Sequence, residues 1–383
     1  MHTDEAVHAV KLGDLLEENS YQYDPFEYHG PTLVYSTLIP AWLSGQNTFI
    51  SLSENTLRIV PVLYGIGLVI LLLAFRKTLS SATLLFAALF TAISPAFVFY
   101  SRYYIMEILL VFFTFSAILG GWQFIRTKKM GWALLAGASF GLMHATKETC
   151  AMAWLAMGAS LFLLLFFEKR FNRLKSVKWS FVIFGVLAAA AISMLFFSSF
   201  FTHPRGIIDS IATYKTYLDR GTGGFQAHIY PWWQYGKWLF ASHHQARPLW
   251  TEAIILLLSL YGFISIFSKP RRDESVKTLF KFIALYTLIL TAMYMVIPYK
   301  TPWSLLGFYH GFILIAAVGA SEILKNLKTR PIKIAASVLF AGFLLHLGWQ
   351  AVQMNFKYDA DVSNPYVYAH TDKDIYRLIE NID

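Results

Sequence analysis

Six short segments carry the residues able to do chemistry, and long apolar runs separate them. HTDEAVHAVKLGDLLEE, residues 2–18, opens an imperfect amphipathic helix with two carboxylates, Asp4 and Glu5. Acidic side chains at a helix start are explained by the helix dipole alone. A carboxylate held at a membrane surface is also what base catalysis on a hydroxyl requires. YDPFEYHGP, residues 23–31, is a turn whose His29 either holds the turn or meets a phosphate or hydroxyl. In SPAFVFYSRYYIMEILLVFF, residues 94–113, Arg102 precedes Glu107, which sits just inside the next apolar run. The two either pair locally or present an acid to a cavity. HATKETC, residues 144–150, puts Lys147 and Glu148 in a very tight turn. The compact ammonium there suits an anionic lipid headgroup, or snorkels to the interface. IPYKTPW, residues 297–303, sets Lys300 between two prolines. If Arg102, Lys147 and Lys300 converge, they form an anion site of the kind a lipid phosphate needs. The sixth segment, 202–249, is rich in Tyr and Trp, which fit a membrane interface and also stack on sugar rings. Its Gly221–Gly224 stretch suggests mobility, and His228, His243 and His244 show no metal-ligand spacing.

These segments need elements to hold them, and composition says which. The chain has 383 residues, 56% hydrophobic and only 14% charged. An ordinary soluble domain carries about 25% charged residues, and one core cannot hide this much apolar surface. Disorder is excluded by the same numbers. Ten continuous apolar runs read as spanning helices: 58–75, 80–99, 106–125, 130–146, 149–167, 179–201, 250–268, 280–298, 302–321 and 334–353. Barrel strands would alternate in hydrophobicity, so the expected fold is an all-α polytopic bundle.

The net charge of +9 is a topology signal here, not a sign of nucleic acid. Basic residues concentrate in alternate loops: Arg76/Lys77, Arg126/Lys128/Lys129, Arg170/Arg173/Lys175, Lys269/Arg271/Arg272 and Lys325/Lys328/Arg330. The positive-inside rule makes that side cytoplasmic. Residues 1–57, the 100–105, 147–148 and 299–301 turns, loop 202–249 and tail 354–383 then lie outside. The expected organisation is a first outer loop, 1–57, a bundle, 58–353, and a C-terminal tail, 354–383. Residues 31–50 read as interfacial or re-entrant rather than spanning. Two explanations then compete: a first spanning helix upstream of Met1, which is the preferred one, or a span over 31–50 that places the N-terminus inside. The lone cysteine, Cys150, lies in an apolar run and reads as a core residue. No phosphate-binding glycine motif is present, which argues against an ATP-driven pump.

DEAVHA, YDPFEYHGP, SRYYIMEILLVFF, ATKET and YKTPW, in that order, resemble the GT-C superfamily of membrane glycosyltransferases, in its protein O-mannosyltransferase-like (PMT) branch. The likeness runs from residue 2 to about 350 and is greatest to the flippase-activity-associated group. It implies transfer of a sugar from a polyisoprenyl-phosphate carrier at the non-cytoplasmic face of the cell membrane to an acceptor glycan, lipid or protein. It implies Asp4 as the base, Glu5 completing the acidic pair, and Glu107 as the second-loop acid, with Arg102 as its preceding arginine. Lys147 and Lys300, with His29 and Glu148 beside them, take the substrate and lipid-phosphate positions. No cofactor is required by this reading, which leaves room for a divalent metal at Glu107. The competing classes are a translocator of lipid-linked sugars and a non-catalytic partner in glycan assembly. A translocator should carry charges at mid-membrane depth, whereas here they cluster at the outer rim.

Overall fold

The computed structural model describes residues 2–26, 29–219, 228–245, 247–268 and 274–368. Two helices come first, α1 (Thr3–Glu18) and α2 (Thr32–Leu43). The bundle follows with α3 (Glu54–Leu71), α4 (Ser81–Ile93), α5 (Pro95–Tyr100), α6 (Glu107–Thr127), α7 (Met130–His144), α8 (Cys150–Phe167) and α9 (Trp179–Phe197). The loop expected over 202–249 holds two further helices, α10 (Gly206–Asp219) and α11 (Gln234–Phe240). The bundle closes with α12 (Ala253–Ser268), α13 (Glu274–Val296), α14 (Leu306–Asn326) and α15 (Arg330–Phe356). Among the described residues there is no β-strand, only isolated bridges joining Ile229 to Tyr299 and Ser242 to Trp250.

Every apolar run expected to span is helical, and the chain is a multi-pass membrane protein. Among the described residues, seven helical segments are long and apolar enough to cross a bilayer. The runs 80–99, 130–146 and 250–268 contain shorter helices than expected, α4, α7 and α12, of 13, 15 and 16 residues. The first is broken at Ser94–Pro95. Pro95 has no N–H to continue α4 but fits the first position of α5, which Ser94 caps. Helix α2 has 12 residues, about 18 Å of rise, too short to cross, in keeping with an interfacial role. Of the segments singled out above, Lys269, Arg271, Arg272, Gly221–Gly224, Glu27, Tyr28 and the tail beyond 368 lie outside the described residues.

Helices α6 and α14 form the centre of the bundle, each about 83% buried along its apolar window, while α9 and α15 are only 11% buried. The outer pair therefore presents apolar side chains such as Ile183, Val186, Val338 and Leu345 outward. With no water in the hydrocarbon layer, that is the stable arrangement. Small residues set the close approaches, as they do between membrane helices generally. A Cβ on Gly137 would lie 1.9 Å from the carbonyl oxygen of Gly185, which brings α7 and α9 into backbone contact.

A buried polar tie holds one end of the bundle together. Glu252, just before α12, is 1% exposed. Its oxygens accept from Ser94 Oγ (2.5 Å), the Ala96 N–H (2.9 Å), Tyr309 Oη (2.8 Å) and Tyr366 Oη (2.5 Å). Tyr366 belongs to the segment expected as a tail. After α15 that segment turns back, with Asn364 Nδ2 donating to the carbonyls of Met354 and Tyr358. The Tyr366 carbonyl accepts from Tyr100 Oη at 2.8 Å. One carboxylate thus joins α5, α12, α14 and the C-terminal segment.

Glu252→Ala strands three hydroxyls and an amide in the interior, so a loss of roughly 3 kcal/mol or more is expected. A clearly lowered melting temperature in detergent is the check, and an unchanged one contradicts the assigned role of the tie.

Candidate active site

Helix α1 begins at a capping box: the Glu5 carboxylate accepts the His2 N–H at 2.9 Å, closing the first turn on itself. The same carboxylate, fully buried, accepts a two-pronged contact from Arg58 of α3, Nε to Oε1 at 2.8 Å and Nη2 to Oε2 at 2.7 Å. Oε1 also accepts the Tyr104 N–H at 2.9 Å. Glu5 therefore fastens α1 to α3 and to the 101–106 turn. Burial works to raise its pKa, but Arg58 and the two amides outweigh it, and Glu5 titrates below the usual glutamate range. Arg58 was not singled out in the sequence. Its signal is a lone cation at the head of a long apolar run, a position that demands a partner.

Asp4 lies about 100° around the helix from Glu5. Its side chain is 38% exposed, and His2 Nδ1 stands 3.7 Å from Oδ2, beyond hydrogen-bond reach. Oδ2 is turned inward and has no hydrogen-bond partner among the described residues. Burial pushes the Asp4 pKa up, the neighbouring His2 and the charge of Lys147 pull it down, and the net shift is downward. Asp4 is thus ionised at neutral pH.

The Lys147 ammonium, 7% exposed, pairs with the Glu107 carboxylate, also 7% exposed, at the head of α6. The expected local pair of Arg102 with Glu107 is not formed. Burial works to lower the Lys147 pKa, Glu107 more than offsets it, and Lys147 stays charged. Glu148 accepts from His29 Nδ1 at 2.8 Å and from Tyr23 Oη at 3.0 Å. Tyr217 Oη of α10 lies 2.8 Å from the same His29 nitrogen. Burial raises the Glu148 pKa, His29 and Tyr23 lower it, and the lowering wins.

The His29 turn and the Lys147 turn dock through backbone. Gly30 N–H donates to the Thr146 carbonyl and Thr32 N–H to the Ala145 carbonyl, both at 3.1 Å. A Cβ at Gly30 would stand 2.2 Å from that Ala145 oxygen, so glycine is what permits the approach.

The expected convergence of three cations is corrected to one. Arg102 donates to the Asn355 carbonyl and Oδ1 (3.2 and 3.3 Å) and lies over the Phe356 ring, at the end of α15. Lys300, fully buried, donates to the carbonyls of Tyr294, Met295 and Ile297, closing the end of α13. Both meet carbonyls left unpaired at helix C-termini, where cations are favoured. Lys147 alone faces the acidic group. Among the described residues, no cluster of three His, Cys, Asp or Glu side chains could hold a metal ion.

The all-helical multi-pass bundle has the fold of solved membrane-protein structures, and a family model matches part of it. The family model for dolichyl-phosphate-mannose-protein mannosyltransferase matches residues 37–205. Similar solved structures include ArnT from Cupriavidus metallidurans bound to undecaprenyl phosphate, with TM-score 0.64 and 13% identity over 95% of this chain and 63% of that one. The archaeal oligosaccharyltransferase AglB from Archaeoglobus fulgidus, in complex with an inhibitory peptide and a dolichol-phosphate, gives 0.58 and 14% over 98% and 53%. The chain thus spans somewhat over half the length of these structures, and at such identities the likeness is one of fold. A search of curated proteins finds no match.

Two predictions follow from the charge arrangement. Arg58→Ala leaves Glu5 buried and unpaired, so a loss of about 3–5 kcal/mol is expected; chemical unfolding in detergent measures it. His8, buried on α1, has its pKa lowered from 6.5 to about 3 by burial first and then by the charges of His29 and Lys147, against the pull of Asp4. The unfolded chain takes up this proton near pH 6.5 and the folded chain does not until about pH 3. His8 therefore contributes stability above pH 6.5 that is lost as pH falls through this window, by about 1.4 kcal/mol per pH unit. His8→Gln should flatten the melting temperature against pH between 6.5 and 4, and a slope equal to that of the wild type refutes the assignment.

Proposed function

We propose that the protein transfers a sugar from a polyisoprenyl-phosphate carrier to an acceptor hydroxyl or amide at the non-cytoplasmic membrane face, with Asp4 as general base. One observation carries this reading: of the four clustered carboxylates, Glu5, Glu107 and Glu148 are each bound to a partner side chain, while Asp4 keeps an inward oxygen unpartnered among the described residues. An ionised carboxylate with a free oxygen, beside a buried cation, is what a displacement at an anomeric carbon needs.

In this reaction the acceptor O–H or N–H attacks the anomeric carbon and gives its proton to Asp4. The carbon–oxygen bond to phosphate breaks, and the phosphate leaves with the electron pair towards Lys147. A single displacement inverts the anomeric centre. The phosphate needs a cation and no proton, so the Lys147 ammonium suffices. Glu107 holds that ammonium in place and offsets its charge until the lipid phosphate arrives. His29 Nε2 has no partner among the described residues and serves to orient the acceptor, its ring being fixed by Glu148 and Tyr217. Lys300 and Arg102 act on helix ends, supporting the site from behind. The family match and the fold shared with ArnT and AglB support this reading.

Room for the lipid supports it too. A cavity of about 1100 Å³ lies between α6, α8 and α13, lined by Trp122, Trp154, Met157, Leu161 and Phe282. It begins ten residues along α6 from Glu107, about 15 Å away, and its apolar walls suit an isoprenyl chain.

The test is sugar transfer by the protein reconstituted in liposomes with polyisoprenyl-phosphate sugar donors. Asp4→Asn is expected to lower the rate by about 10²–10⁴-fold, and transfer at the wild-type rate removes Asp4 as base. In a Cys150→Ser background, a cysteine at position 4 should react with an impermeant maleimide from the outside of intact cells. Protection until lysis overturns the outer placement.

A further inference from the structure

Tyr103 stands in the turn between α5 and α6 and is 7% exposed, yet its hydroxyl has no hydrogen-bond partner among the described residues. A buried hydroxyl left unpaired costs free energy, so such groups are few in native structures. The ring is accounted for by packing. It lies 5.1 Å from His2, 6.0 Å from Phe99 and from Tyr100, and 6.3 Å from Trp303, centroid to centroid. A phenylalanine would pack the same way, so the fold gives no reason for the oxygen.

Its position does give one. Tyr103 lies within electrostatic reach of Asp4, Glu5, Arg58 and Glu107. The turn that carries it leads directly into Glu107, the partner of Lys147. In the reaction proposed above, the sugar ring must sit between the base and the phosphate cation, and Tyr103 is within reach of both Asp4 and Glu107, the partner of Lys147. The surrounding wall is aromatic. Trp303 packs on Tyr368 at 4.6 Å, and Tyr368 on His228 at 4.5 Å. Ring faces beside the unpartnered hydroxyl of Tyr103 are the surface that a pyranose recognises, its C–H face against an aromatic ring and a hydroxyl in a hydrogen bond.

We infer that the Tyr103 hydroxyl is a sugar-binding contact, donating to one hydroxyl of the donor's sugar ring in a subsite walled by Trp303, Tyr368 and His2. The inference rests on the glycosyl-transfer reading and adds the contact that distinguishes one sugar from another. The acceptor is the other molecule that enters here, and the test separates the two.

The full chain in lipid nanodiscs is assayed with polyisoprenyl-phosphate mannose, glucose and galactose, and with the monodeoxy analogues of whichever donor the wild type uses. Tyr103→Phe should melt at the wild-type temperature or above, because no protein hydrogen bond is lost. Its kcat/KM should fall about 10–100-fold. The wild type should reject one deoxy analogue more strongly than the rest, and Tyr103→Phe should lose that particular discrimination, as two changes to one hydrogen bond do in a double-mutant cycle. Unchanged kcat/KM overturns the inference, as does a lowered melting temperature that explains the loss. A fall in kcat/KM of equal size on every deoxy analogue also overturns it, and moves the hydroxyl to the acceptor. If the wild type transfers no sugar from any of the three donors, the glycosyl-transfer reading itself fails, a result distinct from the others.

Discussion

The Arg58–Glu5 pair is the constraint on which the placement of α1 against the bundle depends. Helix α1 is amphipathic and lies outside the bundle, so apolar contact alone would let it slide over the surface. The bidentate pair fixes its height and rotation against α3, and the Tyr104 amide fixes it against the turn that leads into α6. Because Glu5 is locked, its neighbour Asp4 has one orientation. A planar guanidinium is suited to this, since its fork holds direction as well as charge.

Around that anchor the charges are nearly all spent on one another. Lys147 answers Glu107, and His29 and Tyr23 answer Glu148. Buried charges of this kind are tolerable only when paired, and each pairing restricts where the next element sits. Among the described residues, the inner oxygen of Asp4 and the hydroxyl of Tyr103 have no hydrogen-bond partner, and the two side chains lie within electrostatic reach of each other. Asp4 lies within electrostatic reach of Lys147, and Tyr103 within reach of the pairs that Arg58 and Lys147 make with Glu5 and Glu107.

The supporting frame is built from close approach and from helix ends. Gly30 admits the Ala145 carbonyl and so brings the His29 turn onto the Lys147 turn. Lys300 closes α13, and Arg102 closes α15. Glu252, at the head of α12, gathers α5, α14 and the returning C-terminal segment. That return sets Tyr368 against Trp303 and His228, so the last described residues of the chain help to wall the space beside α1.

Much of this was legible in the sequence, and the reason is physical. A bilayer forces every spanning segment to be a continuous apolar run, so the runs, the turns between them and the polar residues at their rims can all be read directly. Asp4, Glu107, Lys147, Glu148 and His29 stand out because polar groups in such places demand an explanation. The partners are another matter. Arg102 and Glu107 look paired by proximity along the chain, yet Glu107 meets Lys147, 40 residues away. Three turns each bear a cation, yet two of those cations bend back onto helix ends, because carbonyls exposed there are nearer than the common centre. Glu5 looks like half of a catalytic pair and proves to be the fastening of α1. The hydroxyl of Tyr103 and the carboxylate of Glu252 carry no signal in their neighbours, since one matters for having no partner and the other for having four. Sequence determined which residues sit at the rims of the apolar runs, because the hydrophobic effect acts on runs. Which rim residues meet was decided by how the helices rotate and cross, because pairing depends on distances between elements that are far apart along the chain.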